Sequence, residues 1–312
     1  MNCTKSSVDF VNQFLYTCDH EGFLNLTQET WQNRWFPNQI SLSSDVTTFH
    51  LLTKTEHDFY KFLFSFLGFS EKLVNFNIED LIKEFNSHDV AHYYTEQMAM
   101  ENIHGKVYAN ILNMFFNNNM GELKKYAITI LDDNALKDKL HWLHKRVINA
   151  KTRAEKVLLF LLIEGIFFIS SFYCIALLRI KGVMNGVCLA NDYISRDEWI
   201  HTRAAALLYN TMIHDREKPT SEWIYNLFQE AVDVETAFIE RKGCHLSSEK
   251  LLDINQFLQA TADRILKSIN LRPLYNVRPP PDCPLVYIGC IKNVNFFERE
   301  SSDYTTAVAD DL

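Results

Sequence analysis

Residues Val157–Ile180 read VLLFLLIEGIFFISSFYCIALLRI, and the only charge before the last turn of this run is Glu164. The run is long enough to span a bilayer. A carboxyl near the centre of such a span costs roughly 2.5–3.5 kcal/mol on insertion scales. In a large soluble bundle, by contrast, a central helix is apolar all round, and a lone buried carboxylate needs a partner. A metal ion is one such partner, so the fold turns on whether the rest of the chain supplies the other ligands.

The flanking sequence is helical in pattern. Glu56–Phe69 is dense in apolar residues without strand alternation and runs on to about Phe85, where Asn86-Ser87 interrupts it. His88–Phe116 keeps helical spacing until Asn117-Asn118-Asn119-Met120-Gly121, a length of roughly 43 Å at 1.5 Å per residue. Thr152-Arg153-Ala154-Glu155 is a capping box that opens the apolar run as one helix stopping near Gly182. A further helix starts near Cys188 or Ala190 and reaches Tyr209, and two more are expected over about Ser221–Arg241 and Ser248–Ile269. Arg272–Pro284 holds five of the seven prolines and leaves the helical body, while Phe296–Leu312 reads as an acidic tail. These breaks divide the chain into an N-terminal segment (1–50), a helical bundle (51–270) and a Pro-containing segment with tail (271–312).

Composition narrows the function. With 9 Gly and 7 Pro in 312 residues, long uninterrupted elements are expected. A net charge of −8 gives no footprint for a nucleic-acid backbone, and no basic cluster marks a membrane surface. Seven cysteines, odd in number and never spaced C-x-x-C, point to a reducing compartment, and the N-terminus lacks a signal-peptide pattern. Residence in the cytoplasm is the expectation.

Two E-x-x-H units carry the chemistry, Glu101-Asn-Ile-His104 and Glu198-Trp-Ile-His201. Either alone is an ordinary helix-surface pair. Each, however, has a carboxylate a similar distance upstream, Glu71 before Glu101 and Glu164 before Glu198, with a helix break about midway. In an antiparallel helix pair, residues equidistant from the turn sit at one height. Glutamate and histidine three apart share a helix face. Two such halves make a four-helix bundle around four carboxylates and two imidazoles, the ligand set of ferritin-like di-iron or di-manganese proteins, for which the general pattern is well described. Oxygen-rich ligands with two imidazoles and no thiolate favour iron or manganese. Asp89-x-x-His92 and Asp138-x-x-His141 lack an upstream carboxylate and read as a helix start and a solvated face. Tyr108 stands four residues after His104 on the metal-facing side, and Phe168 and Phe172 follow Glu164 at helical spacing. Plain core packing is the competing reading for all three.

The segments EKLVNFNI, DVAHYYTEQMAMENIHGKVYANILNMFF, LLIEGIFFISSFY and NDYISRDEWIHTRAAALLYN resemble the small subunit of class I ribonucleotide reductase, herpesvirus branch, closest to the gammaherpesvirus proteins. The resemblance covers most of the chain. It implies an all-α, ferritin-like homodimer with two iron ions per chain as an oxo-bridged di-iron unit, manganese being the alternative. By that resemblance Glu71, Glu101 and His104 correspond to the first ion and Glu164, Glu198 and His201 to the second. Tyr108 corresponds to the radical tyrosine, and Phe168, Phe172 and Ile194 to the apolar lining around it. The family usually has Asp where Glu71 stands, so the first ion meets a longer side chain here. Trp35 and Asp197 match the relay joining the surface to His104. The tail, ending at about Ala307–Leu312, would dock on the large subunit, with Tyr304 as the relay tyrosine. The implied activity is reduction of ribonucleoside diphosphates to deoxyribonucleotides by the large subunit, with a thioredoxin-type dithiol as reductant. Two alternatives use the same bundle: a ferroxidase or iron store without a stored radical, and a silent homologue kept for its interactions.

Overall fold

The computed structural model describes residues 15–285, and no strand occurs among the described residues. Tyr304 and the tail lie outside them. α1 (Glu21–Gln32) starts at His20, whose side chain accepts the Phe23 N–H, and buries Phe23, Leu26, Thr27 and Thr30. The short α2 (Ser43–Thr48) follows. α3 (Lys54–Glu84) opens with a capping box in which Thr53 and Glu56 satisfy each other's backbone N–H groups. Ser87 caps α4 (His88–Phe115), and α3 and α4 form an antiparallel hairpin that turns at the predicted Asn86-Ser87 break.

α5 (Met120–Ile130) and α6 (Asn134–Asn149) occupy a stretch for which the sequence pattern gave no helix. Their caps, Asn119 and Asp133, are the signals that mark them, since each side chain accepts backbone N–H groups of the first turn. Asp138 lies on the exposed side of α6, paired with Arg241 at 2.5 Å, in keeping with the solvated-face reading.

The apolar run is two helices rather than the single one expected. α7 (Arg153–Gly165) ends immediately after Glu164, and α8 (Ile169–Ile180) begins beyond a turn at Ile166, Phe167 and Phe168. There the Phe167 N–H reaches back five residues to the Leu162 carbonyl at 3.2 Å, the wide turn of a π-bulge. Gly165 permits close approach of another helix: a Cβ there would meet Ile265 Cδ1 at 2.5 Å. Lys139, from α6, donates to the Phe167 carbonyl at 2.6 Å. It also pairs with Glu235 at 2.5 Å, and Ser170 donates to the other oxygen of that carboxylate. All three polar side chains are buried, so the broken backbone is satisfied inside the core.

α9 (Asn185–Met212), α10 (Ser221–Lys242) and α11 (Ser248–Ser268) complete the bundle. α9 starts three residues earlier than the sequence indicated, because Met184 adopts φ +59° and buried Asp45 of α2 accepts the Gly186 and Val187 N–H groups at 2.9 and 2.8 Å. The Arg153–Ile180 stretch is apolar enough to cross a membrane, yet 94% of its most apolar window is buried inside the protein. Its hydrophobicity is spent on the core. Beyond α11, Asp263 accepts the N–H groups of Leu274, Tyr275 and Val277, which ties the proline-rich segment to the bundle as it leaves.

Candidate metal centre

Four helices each present ligands to one buried layer. α3 brings Glu71, α4 brings Glu101 and His104, α7 brings Glu164 from its last turn, and α9 brings Glu198 and His201. All six residues are at most 5% exposed. Two groups of donor atoms lie within 4.8 Å of one another: Glu71, Glu101, His104 and Glu198, and Glu101, Glu164, Glu198 and His201. Glu101 and Glu198 belong to both, so the two triads read from the sequence are joined by two shared carboxylates.

The imidazoles are oriented for coordination through Nδ1. His104 Nδ1 lies 3.0 Å from Glu101, 3.2 Å from Glu198 and 3.8 Å from Glu71. His201 Nδ1 lies 3.0 Å from Glu101, 3.1 Å from Glu198 and 3.8 Å from Glu164. His104 Nε2 faces Asp197 Oδ2 at 3.2 Å, so the carboxylate fixes the tautomer that leaves Nδ1 free. The same Asp197 oxygen accepts the Trp35 indole N–H at 2.7 Å, and the Trp35 and His104 rings lie nearly parallel, centroids 6.0 Å apart. Trp35 is buried.

Two positions that sequence reasoning passed over complete the surroundings. Gln97, one turn before Glu101, donates to Glu101 at 3.3 Å and to Glu164 at 3.1 Å. Its place on the ligand face of α4 was the available signal. Arg196 donates to the other oxygen of Asp197 at 3.1 Å and to the Asn33 carbonyl at 2.7 Å. It therefore ties Asp197 to the end of α1, a long-range contact with no local pattern.

Electrostatics without a cation are telling. Burial pushes the carboxyls of Glu71 and Glu164 well up, reinforced by neighbouring carboxylates. Against the same burial, the two imidazoles hold Glu101 well below its ordinary range and, despite the charge of Glu101, keep Glu198 low as well. Although burial opposes it, the hydrogen bonds that His104 donates to Asp197 and the glutamates raise it, and Glu101 and Glu198 lift His201 to about 10. Glu164 Oε2 remains without a hydrogen-bond partner, an expensive state for a buried oxygen that a metal ion would relieve. Oxygen and imidazole donors, two shared carboxylates and no sulfur suit a pair of iron or manganese ions.

Tyr108 is buried beside this layer, its hydroxyl without a hydrogen-bond partner. Burial, and then the charge of Glu71, pushes its phenol well up, so it stays protonated. Phe168, Phe172 and Ile194 are all buried, with the two phenylalanine rings 6.3 Å apart. The model of the ribonucleotide reductase small chain matches residues 12–284. The chain belongs to that family. A ribonucleoside-diphosphate reductase small subunit of Equine herpesvirus 2 is 71% identical over 305 residues, covering 98% of this chain and all of that one. The Epstein-Barr virus (strain B95-8) protein of the same name is 57% identical over 302 residues, covering 97% of this chain and all of that one. Among solved structures, dimanganese(II)-NrdF of Streptococcus sanguinis superimposes with a TM-score of 0.76 at 19% identity, covering 88% of this chain and 96% of that one. The Rnr4 homodimer of Saccharomyces cerevisiae gives 0.73 at 23%, covering 93% and 89%. A ribonucleotide reductase small chain is thus built here on a ferritin-like bundle with a buried carboxylate and histidine cluster fit to bind metal, and as a small subunit it works with a large one.

Proposed function

We propose that this chain stores an oxidising equivalent as a tyrosyl radical on Tyr108 and delivers it to a large subunit that reduces ribonucleoside diphosphates. Two iron ions, with manganese as the alternative, would be held by Glu71, Glu101 and His104 and by Glu164, Glu198 and His201. Glu101 and Glu198 belong to both groups of donor atoms and would serve both ions. When bound, such a pair supplies one-electron oxidation of a phenol at the expense of O₂.

The remaining work falls to the protein. Tyr108 keeps its proton until oxidation and has no competing partner for its hydroxyl. Phe168, Phe172 and Ile194 exclude water and reductants from that phenol. Asp197 holds His104 in one tautomer and joins it to Trp35, which gives electrons a hydrogen-bonded route between the centre and the outside. The segment beyond residue 285 carries Tyr304 and the docking end Ala307–Leu312, so transfer to the large subunit would run through it. The working unit is a homodimer in the cytoplasm, that of the host cell if the chain is viral.

The single observation that carries this reading is the Trp35–Asp197–His104 wire, since an iron store needs no such path. The test is electron paramagnetic resonance with metal quantitation after anaerobic Fe(II) loading and O₂ exposure. A tyrosyl signal that vanishes in Tyr108→Phe with metal content unchanged supports the reading. Metal uptake with no radical in the wild type replaces it with a ferroxidase, and no uptake leaves a silent homologue.

A further inference from the structure

Beside the layer of carboxylates and imidazoles, α3, α6 and the turn after α7 bound a cavity of about 40 Å³. Roughly 10–15 Å³ admits one water molecule, so a few molecules of that size fit. The wall is mainly apolar: Phe66 and Val74 from α3, Leu140 and Leu143 from α6, and Phe167 and Phe168 from the turn. Three polar side chains also border it, Ser70, Asn77 and Lys139, and each donates elsewhere. Ser70 Oγ donates to the Phe66 carbonyl at 2.9 Å, Asn77 Nδ2 to the Leu73 carbonyl at 3.1 Å, and Lys139 to the Phe167 carbonyl and Glu235. A buried water needs about two to four polar partners. The cavity offers few, so it favours a small apolar molecule.

Its position gives that preference a use. Ser70 directly precedes Glu71, Ile163 directly precedes Glu164, and both line the cavity. Glu71 and Glu164 are the two carboxylates that belong to only one donor group each. Phe168 forms the wall on the inner side, its ring 6.3 Å from both Phe66 and Phe172. A second cavity, of about 120 Å³, adjoins the first, since Asn77 and Ile163 line both. Leu81, Val147 and Phe160 border it, with the paired Glu84 and Lys156 among its lining. Each cavity meets the surface at an exposed apolar side chain, Leu73 for the inner one and Val147 for the outer.

We propose that the two cavities form an entry path for O₂, with the inner one as a chamber that holds the gas beside the Glu71 and Glu164 segments before it reacts. The inference rests on the function proposed above, which names O₂ as the oxidant. A narrow apolar path admits a diatomic gas and turns away charged reductants, which could not shed their water there. Supply of the oxidant and protection of the Tyr108 phenol are thereby reconciled on the two sides of Phe168.

The test begins with crystals of the metal-free, full-length protein under xenon pressure, because xenon occupies dry apolar cavities. It is expected between Phe66, Leu143 and Phe168. Leu143→Trp fills the chamber from α6, a helix without ligands, and should exclude xenon; Leu140→Phe serves where the first variant does not fold. Loaded with Fe(II) and mixed with O₂ in a stopped-flow cell, the same variants should form the radical several-fold more slowly, at wild-type iron content and final yield, and should recover as O₂ is raised. No xenon in the wild-type chamber overturns the inference. So does a variant that excludes xenon yet reacts at the wild-type rate, or one whose slowness ignores O₂ concentration, which is the mark of a disturbed centre. An iron-loaded wild type that forms no radical from O₂ removes the function on which the inference rests, an outcome separate from all of these.

Discussion

The Trp35 indole N–H and the His104 Nε2 meet on one oxygen of Asp197, at 2.7 and 3.2 Å. Sharing one oxygen makes the carboxylate a junction: whatever moves Asp197 changes the His104 imidazole and the indole together. Arg196 holds the other oxygen, which leaves Asp197 little freedom to rotate. Against burial, His104 and Arg196 hold its pKa below the ordinary range, so it stays ionised and keeps accepting both bonds.

Replacing Asp197 with Ala should therefore lower metal affinity or turnover by roughly 10–100-fold, the usual cost of removing a carboxylate behind a ligating histidine. Trp35→Phe keeps the aromatic packing and removes only the donor. It should leave metal content unchanged while turnover with the large subunit is lost. Metal analysis beside a ribonucleoside-diphosphate reduction assay separates the two outcomes, and equal loss of metal in both variants would reject the relay.

Tyr108→Phe removes a hydroxyl that makes no hydrogen bond, so stability should change little or even rise. The metal centre should load normally and turnover should disappear. Thermal melting with and without Fe(II) checks the first part; a clear fall in melting temperature would mean that the hydroxyl has a structural partner.

Metal uptake should release protons. In the cation-free protein the neighbouring carboxylates lift His201 to about 10 and raise His104 likewise, while burial raises Glu71 and Glu164. Ligation needs all four deprotonated, so apparent affinity should climb as pH rises towards 10. The sign for stability runs the other way. The raised His201 stabilises the metal-free fold fully below its ordinary 6.5, and this contribution is lost as pH rises through about 10. Melting temperature of the apoprotein should fall over that window while the increment on adding metal grows. Calorimetry in buffers of different ionisation enthalpy measures the protons; release of none would contradict the electrostatic picture.

Much of this centre was legible in the sequence because its information is local. Glu101 with His104, and Glu198 with His201, share a helix face by spacing alone, and Glu71 and Glu164 pair with them by symmetry about a break. What escaped is held by contacts distant along the chain. The turn at Ile166, Phe167 and Phe168 is composed of residues that suit a helix, so nothing in the run announces it. It exists because Lys139 and Glu235, on two other helices, meet it in the core. Arg196 and Asn33 are joined across the fold in the same way.

That buried brace makes the last prediction. Lys139 is surrounded by Phe66, Phe167 and Phe238, with its ammonium 4.4, 5.4 and 4.2 Å from their ring centroids, and bonds both Glu235 and the Phe167 carbonyl. Lys139→Ala would strand a buried carboxylate and a carbonyl at once, which places it among the losses of about 3–5 kcal/mol seen when one partner of a buried pair is removed. Lys139→Met with Glu235→Leu removes both charges while keeping the volume, and should recover most of that loss. The carbonyl would still lack its donor, so the turn after Glu164 should remain looser in the double variant than in the wild type. Denaturant unfolding measures the recovery, and amide exchange at residues 166–168 measures the looseness. Full protection there in the double variant would mean that packing alone, not the lysine, holds the break that sets Glu164 in place.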